Sequence, residues 1–295
     1  ALSTALPRRT SDLLYTLDVF GGKRGAEYAL KRRGMTCGPH IDIINGWDLL
    51  SVKGIRKLRR LVRRRKPIVL IFAPPCKYWS VAQNRTGRTP AQLAALREPY
   101  RKMLLNMISI FKIIKAYGGF VILEGPIYSA MWKAEEFIRL RKVLGLRHER
   151  TDQCRLGSEY KKGTAFWHNL PTASVAGVEL QCNHAAGSHK LLQGKNADGV
   201  FLTAIAAEYP LQLCEALAVA AEHGVRVFKM RAAQAILRQR TPFWPQELRD
   251  VVFGAARAAD SAARFAHSRA EIAAIDVRRR LAEQPHGPDS APPSL

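Results

Sequence analysis

Five consecutive apolar residues, Ile68-Val69-Leu70-Ile71-Phe72, lie between Pro67 and the pair Pro74-Pro75. The run is short and rich in β-branched side chains. It reads as a strand buried on both faces, as in a parallel sheet. Proline has no backbone N–H to give a ladder, so the strand must stop at Pro74. The chain therefore turns at the carboxyl end of a central strand, where open α/β sheets place their chemistry. Cys76 sits in that turn. Taken alone, a cysteine in a tight turn more often serves packing. It becomes a nucleophile when its surroundings take its proton.

The rest of the chain alternates in the same sense. Residues 13–20 read as a first strand, Gly21-Gly22-Lys23-Arg24-Gly25 as a glycine turn, and 26–33 as a helix closed by Gly34. Glycines there let a ligand approach the backbone at a helix N-terminus, though many such turns carry glycine for steric reasons only. Residues 39–44 read as a second strand with Asp42 near its end, where an acid can hold ribose hydroxyls. A helix is expected over 90–117, a strand over 119–123 ending at Glu124, and a helix over 128–143. Residues 151–200 are less regular. An Ala-rich helix over 208–223 closes the domain. This alternation predicts an α/β fold, a doubly wound and mostly parallel Rossmann-like sheet.

Beyond Gly224 the composition shifts to basic helix (226–240), a break at Thr241-Pro242-Phe243-Trp244-Pro245, and Ala/Arg-rich helix over 255–283. The expected division is an arm over 1–12, the α/β domain over 13–223 and a basic extension with a Pro-rich tail over 224–295. The tail composition is one of disorder unless a partner holds it.

Charge narrows the function. Of 295 residues, 47 are Lys or Arg and 24 are Asp or Glu, a net charge of +23. That balance predicts a polyanionic partner, nucleic acid first. No apolar run approaches a membrane span. The densest cations are Lys53, Arg56, Lys57, Arg59, Arg60, Arg63, Arg64, Arg65 and Lys66, without an acid among them. Ile55, Leu58, Leu61 and Val62 recur at helical spacing, so this is an amphipathic helix. Charge runs are usually solvated faces, but an uncompensated one repels itself, and a phosphate-binding face is expected. Arg85 and Arg88 form a second basic loop. Five cysteines at irregular spacing suit a reduced compartment. Cys154, Cys182, His184 and His189 are enough ligands for zinc, although Cys-x-His is not a finger spacing and unligated surface histidine is the plainer alternative. The first residue is not Met, which predicts a removed leader and an organelle, with the mitochondrion favoured.

Together these stations resemble the DNA cytosine-5 methyltransferases, and more closely the compact methyltransferase-like domains of retroelement polyproteins. Asp18-Val19-Phe20-Gly21-Gly22 is similar to the family's S-adenosylmethionine-binding motif. The resemblance implies cofactor contacts at Asp18, Phe20, Gly21, Gly22, Gly25 and Pro74, with Asp42 on the ribose and Asp48 on the adenine side. It implies Cys76 as nucleophile, within Pro74-Pro75-Cys76, and Glu124 as the catalytic glutamate. Ser80 falls at the family's serine. Asp152-Gln153-Cys154, residues 164–169 and residues 182–194 resemble later blocks of the retroelement type. Glu124-Gly125-Pro126 departs from the family's Glu-Asn-Val, and Lys23 and Arg24 are unusually basic for a cationic cofactor. Two functions follow. One is an active cytosine-5 methyltransferase. The other, which the charge favours, is an RNA-binding structural component of a large ribonucleoprotein, an organellar ribosome, held to ribosomal RNA and neighbouring proteins through many phosphate contacts.

Overall fold

The computed structural model describes residues 15–171 and 178–240, with the side chains of 84, 85 and 236–240 excepted. The arm over 1–12 and everything assigned to 241–295 lie outside the described residues. The chain divides into two units, 1–233 and 234–295. Of the second, only the end of one helix is described.

Five strands form one sheet: β1 (Thr16–Val19), β2 (Val69–Phe72), β3 (Phe120–Pro126), β4 (Arg147–Asp152) and β5 (Gly163–His168), in the order β1-β2-β3-β5-β4. The first three are parallel, with Val19 opposite Phe72 and Phe72 opposite Leu123. Every residue of β1 and β2 is buried. Helices cover both faces: α1 (Gly25–Arg32), α2 (Val52–Arg65), α3 (Pro90–Ala116), α4 (Glu135–Leu144), a one-turn α5 (Leu202–Ile205) and α6 (Leu211–Arg240). The pleat sends Leu17, Val19, Leu70, Phe72, Val121 and Leu123 into one core with residues of α2, α3 and α4. It sends Val69, Ile71, Phe120, Ile122 and Phe166 into the other, with residues of α1 and α6. The α/β doubly wound class is as expected.

Local chemistry sets the helix ends. Ser51 caps α2 by accepting from Gly54 N–H, and Thr89 closes a reciprocal capping box with Gln92 at α3. The apolar stripe of α2 is buried at Ile55, Leu58 and Val62. Phe72 is wedged between Phe20 and Phe111, with ring centroids 5.6 and 5.4 Å away. No helix among the described residues is long and apolar enough to cross a membrane.

Four expectations are corrected. The strand over 39–44 does not form. Thr16–Cys37 and Val19–Ile41 make single bridges only, and the chain then curls into a 3-10 turn, Ile43–Asn45. Ile43 and Ile44 are 65% and 73% exposed, so they have no core to enter and no reason to extend. Second, the parallel set β1-β2-β3 is continued by a hairpin that the alternation does not predict: β5 runs antiparallel between β3 and β4. Only Gln153–Lys162 separate β4 from β5, too few for a crossover but enough for a hairpin. β5 falls within the stretch 151–200 read as less regular, and most of β4 in chain given no element, because Arg147-His148-Glu149-Arg150 is a polar edge with no apolar signature. Third, β3 continues through Glu124 to Pro126 by pairing with β5, so Glu124 is the first residue past the parallel pairing rather than the end of the strand. Fourth, α6 begins at Leu211, behind Pro210, and runs through Gly224 to Arg240 without a break.

Candidate active site

The carboxyl ends of β1, β2 and β3 open onto one cleft of about 400 Å³. Asp18, Phe20, Gly21 and Gly22 come from β1 and its turn; Pro74 and Cys76 follow β2; Glu124 comes from β3. Gly25 lines it too. A second recess of about 330 Å³ holds Asp42 and Asp48 together with Trp47, Leu50 and Tyr100. Both spaces are walled by Phe20, Ala73 and Pro75. The residues assigned by resemblance to cofactor and catalysis therefore converge on two adjoining hollows.

The Cys76 loop is tied down on several sides. Ala73 N–H donates to Val19 O at 3.0 Å, drawing the end of β2 onto β1. Trp79 and Ser80 N–H both donate to Cys76 O at 3.0 Å, and Ala130 N–H donates to Trp79 O at 2.8 Å. Gln83 Nε2 donates to Lys77 O, and Arg97 Nε to Tyr78 O, each at 2.8 Å. Ser80 accepts from Ala82 N–H and starts the next turn.

Asp18 is buried, and its Oδ2 has no hydrogen-bond partner. Burial, with Glu27 and Asp42 adding like charge, pushes its carboxyl up to about 7. Burial also raises Glu124, while the Lys162 ammonium opposes that rise. The Cys76 thiol is raised by burial and then by Glu124, and again Lys162 opposes. Lys162 thus acts electrostatically on both reactive groups; its Nζ is anchored by donating to Ala206 O at 2.9 Å. The Tyr209 hydroxyl is closed off from solvent and within electrostatic reach of Glu124, without closing a hydrogen bond of ordinary geometry.

Lys162 and Tyr209 were not among the expected site residues. Lys161-Lys162-Gly163 is legible as basic, but only the β4–β5 hairpin brings it to the cleft. Tyr209-Pro210 falls inside the helix expected over 208–223, but Pro210 precedes the true start of α6 at Leu211.

The two departures from the family pattern have local causes. Lys23 Nζ pairs with Glu208 at 2.7 Å, and Arg24 with Glu27 at 2.7 Å, so neither cation is left uncompensated beside the cleft. A side chain at Gly125 would place its Cβ 2.8 Å from the Trp132 ring, whose Nε1 donates to Pro126 O at 2.7 Å. Glycine is what admits that indole.

On α2, Lys53, Arg56, Arg60, Arg63 and Arg64 are exposed, and no carboxylate among the described residues pairs with them. Lys57 instead sits over the Trp47 ring at 3.8 Å, and Arg59 donates to Ser109 Oγ at 2.8 Å. Arg65 and Lys66 make contacts of their own. Arg88 is held by Gln83 Oε1 at 3.1 Å, and the Arg85 side chain lies outside the described ones. The expected metal ligands also come together: one ligand atom from each of Cys154, Cys182, His184 and His189 lies within 4.8 Å of the others.

No known family profile matches the chain, and no curated protein matches it. Among solved structures it is similar to the Schizosaccharomyces pombe Dnmt2 methyltransferase, at 13% identity over 60% of this chain and 57% of that one, with a TM-score of 0.38. It is similar also to the Entamoeba histolytica methyltransferase EhMeth, at 11% identity over 53% of this chain and 52% of that one, with a TM-score of 0.35. The chain spans just over half the length of each. The likeness is a partial one of fold, and the functional reading is drawn from the cleft.

Proposed function

We propose that this chain is an S-adenosylmethionine-dependent methyltransferase acting on carbon 5 of cytosine in a nucleic acid, on a domain of the kind carried by retroelement polyproteins. One observation carries the reading: Cys76 and Glu124 share a cleft with Asp18 and the Gly21-Gly22 turn, next to the recess of Asp42 and Asp48.

The residues fit the cofactor. The unpartnered Asp18 Oδ2 offers a buried acceptor, and Asp42 and Asp48 offer carboxylates in the adjoining recess. Bound there, the cofactor supplies an electrophilic methyl group on a sulfonium. Cys76 Sγ, as thiolate, adds to carbon 6 of a cytosine turned out of its stack. Glu124 gives its proton to, or shares it with, ring nitrogen 3, for which burial has prepared it by favouring the protonated acid. Carbon 5, made nucleophilic by that addition, would be placed to accept the methyl group, the S–CH3 bond breaking and the sulfonium leaving as a neutral thioether. Loss of the carbon 5 proton to a base re-forms the double bond and expels Cys76. Lys162 supports the first step by opposing the rise in the thiol's pKa.

A second reading keeps the fold and drops the chemistry: an RNA-binding component of a mitochondrial ribosome or similar particle. The acid-free exposed face of α2 favours it. Incubation of the purified chain with methyl-labelled cofactor and either RNA or DNA separates the two. Label in 5-methylcytosine, lost in Cys76→Ala, is the expected result. No transfer to either polymer, with salt-resistant RNA binding retained, overturns the enzyme reading in favour of the second.

A further inference from the structure

We propose that Cys154, Cys182, His184 and His189 bind one zinc ion, and that the site is structural and holds the hairpin that delivers Lys162 to the cleft. The geometry is that of an assembled tetrahedron. Cys182 Sγ lies 3.5 Å from His184 Nδ1 and 3.6 Å from His189 Nε2, and the two imidazole nitrogens lie 3.3 Å apart. Zinc bonds of about 2.3 Å to sulfur and 2.0–2.1 Å to nitrogen, at tetrahedral angles, place sulfur and nitrogen about 3.5 Å apart and two nitrogens about 3.3 Å apart. Three edges agree, and Cys154 Sγ closes the set within 4.8 Å. Two thiols and two imidazoles with no carboxylate are the donor set of zinc rather than of calcium or magnesium. Four protein ligands leave no open position, which makes the site structural.

Groups around the ligands orient them. Cys182 N–H donates to Asp152 Oδ2 at 2.9 Å. Ser188 Oγ donates to Ala185 O at 2.8 Å and lies 3.5 Å from His189 Nδ1. That hydroxyl oxygen is free to accept from Nδ1–H, leaving Nε2 as the ligand atom. The ion would join two stretches distant in sequence. Cys154 lies in the 3-10 turn Gln153–Leu156, at the start of the β4–β5 connection, and the other three ligands lie beyond β5. Gln153 N–H donates to Lys162 O at 3.0 Å, and its Nε2 donates to Thr164 Oγ1 at 2.9 Å. Fixing Cys154 thus fixes the neighbour that grips Lys162, whose ammonium faces Cys76 and Glu124.

The test uses the full chain, purified with reduced thiols and added zinc. Elemental analysis is expected to give one zinc per chain, and cobalt replacement the visible bands of tetrahedral cobalt with thiolate charge transfer. The exposed-side variant His184→Ala/His189→Ala is expected to lose both signals while keeping its circular dichroism. Ser188→Ala is expected to weaken binding about 10-fold, the size of a lost supporting hydrogen bond, and Cys37→Ser to change nothing. Chelation is expected to slow alkylation of Cys76, as Lys162 loosens. A folded, reduced chain that takes up neither metal overturns the proposal. So does equal uptake by the double histidine variant, or a Cys154–Cys182 disulfide that persists under reductant. Metal content is read without methyl transfer, so the proposal stands or fails apart from the enzyme reading.

Discussion

The carboxylate of Asp18 occupies the space that a side chain on Gly21 would need: a Cβ there would stand 2.1 Å from Asp18 Oδ2. The cleft floor therefore requires that one of these two positions have no side chain. Gly21→Ala must push Asp18 off its site, and both residues line the cavity. Affinity for S-adenosylmethionine, measured by calorimetry, is expected to fall about 10-fold or more, equal to about 1.4 kcal/mol. The fold is expected to survive, since Gly21 lies in a turn and not in the core. Unchanged affinity would place the cofactor elsewhere.

Asp18 also sets a pH dependence. Its carboxyl stands near 7 in the folded chain and at 3.8 when free. The folded state therefore holds this proton more tightly than the unfolded state. Its stabilising effect is complete below about pH 4, declines as pH rises, and is gone above about pH 7. A shift of about three units corresponds to roughly 4 kcal/mol across that window. Asp18→Asn cannot ionise. Urea unfolding of wild type and variant at pH 4 and pH 8 is expected to show Asp18→Asn gaining on wild type with rising pH, by up to that amount. A difference that does not move with pH would mean that water reaches Asp18 when it ionises.

The sequence-level reading reached further for the site than for the sheet, and the reason is physical. Cys76, Glu124 and the Gly21 turn follow apolar runs buried on both faces, and such runs announce their own ends. The strands β4 and β5 have no such run: His148, Glu149 and Arg150 lie on an edge and gain their conformation from pairing with β5. Conversely, Ile41 to Ile44 look apolar enough for a strand, but Ile43 and Ile44 meet no partner surface. Lys162 was invisible for a third reason. Its role depends on where the β4–β5 hairpin, paired against β3, returns it, and no local pattern encodes that. The cations of the glycine turn were legible as anomalies, while their partners Glu27 and Glu208 became apparent only in space.

Glu124 and Lys162 pull the Cys76 thiol in opposite directions, with burial adding to the upward pull. Only the thiolate is alkylated, so reaction with iodoacetamide reports this balance. Glu124→Gln removes a negative charge and is expected to speed Cys76 alkylation several-fold at pH 8. Lys162→Met removes a positive one and is expected to slow it several-fold. Peptide mass spectrometry separates Cys76 from Cys37, Cys154, Cys182 and Cys214. Methyl transfer is expected to fall in both variants, so reactivity and turnover part company in Glu124→Gln. Equal alkylation rates in all three proteins would remove Lys162 and Glu124 from the electrostatics of the nucleophile.

If the chain holds nucleic acid as proposed, the exposed cations of α2 are expected to carry part of that contact. Arg56, Arg60, Arg63 and Arg64 project from a helix whose opposite stripe is locked into the core by Ile55, Leu58 and Val62, so the face cannot rotate away. If each of the four meets a phosphate, replacing all with Gln removes four released counterions. The slope of log affinity against log salt is then expected to become shallower by about 3 for single-stranded RNA and by nearly 4 for a DNA duplex. Fluorescence anisotropy over a potassium chloride series measures it. Lys57→Gln provides the contrast, because that ammonium is already engaged on Trp47 beside the second recess; its loss is expected to move the slope by less than one. A slope that stays the same in the quadruple variant would make α2 a solvated face and locate the polyanion contact on another surface.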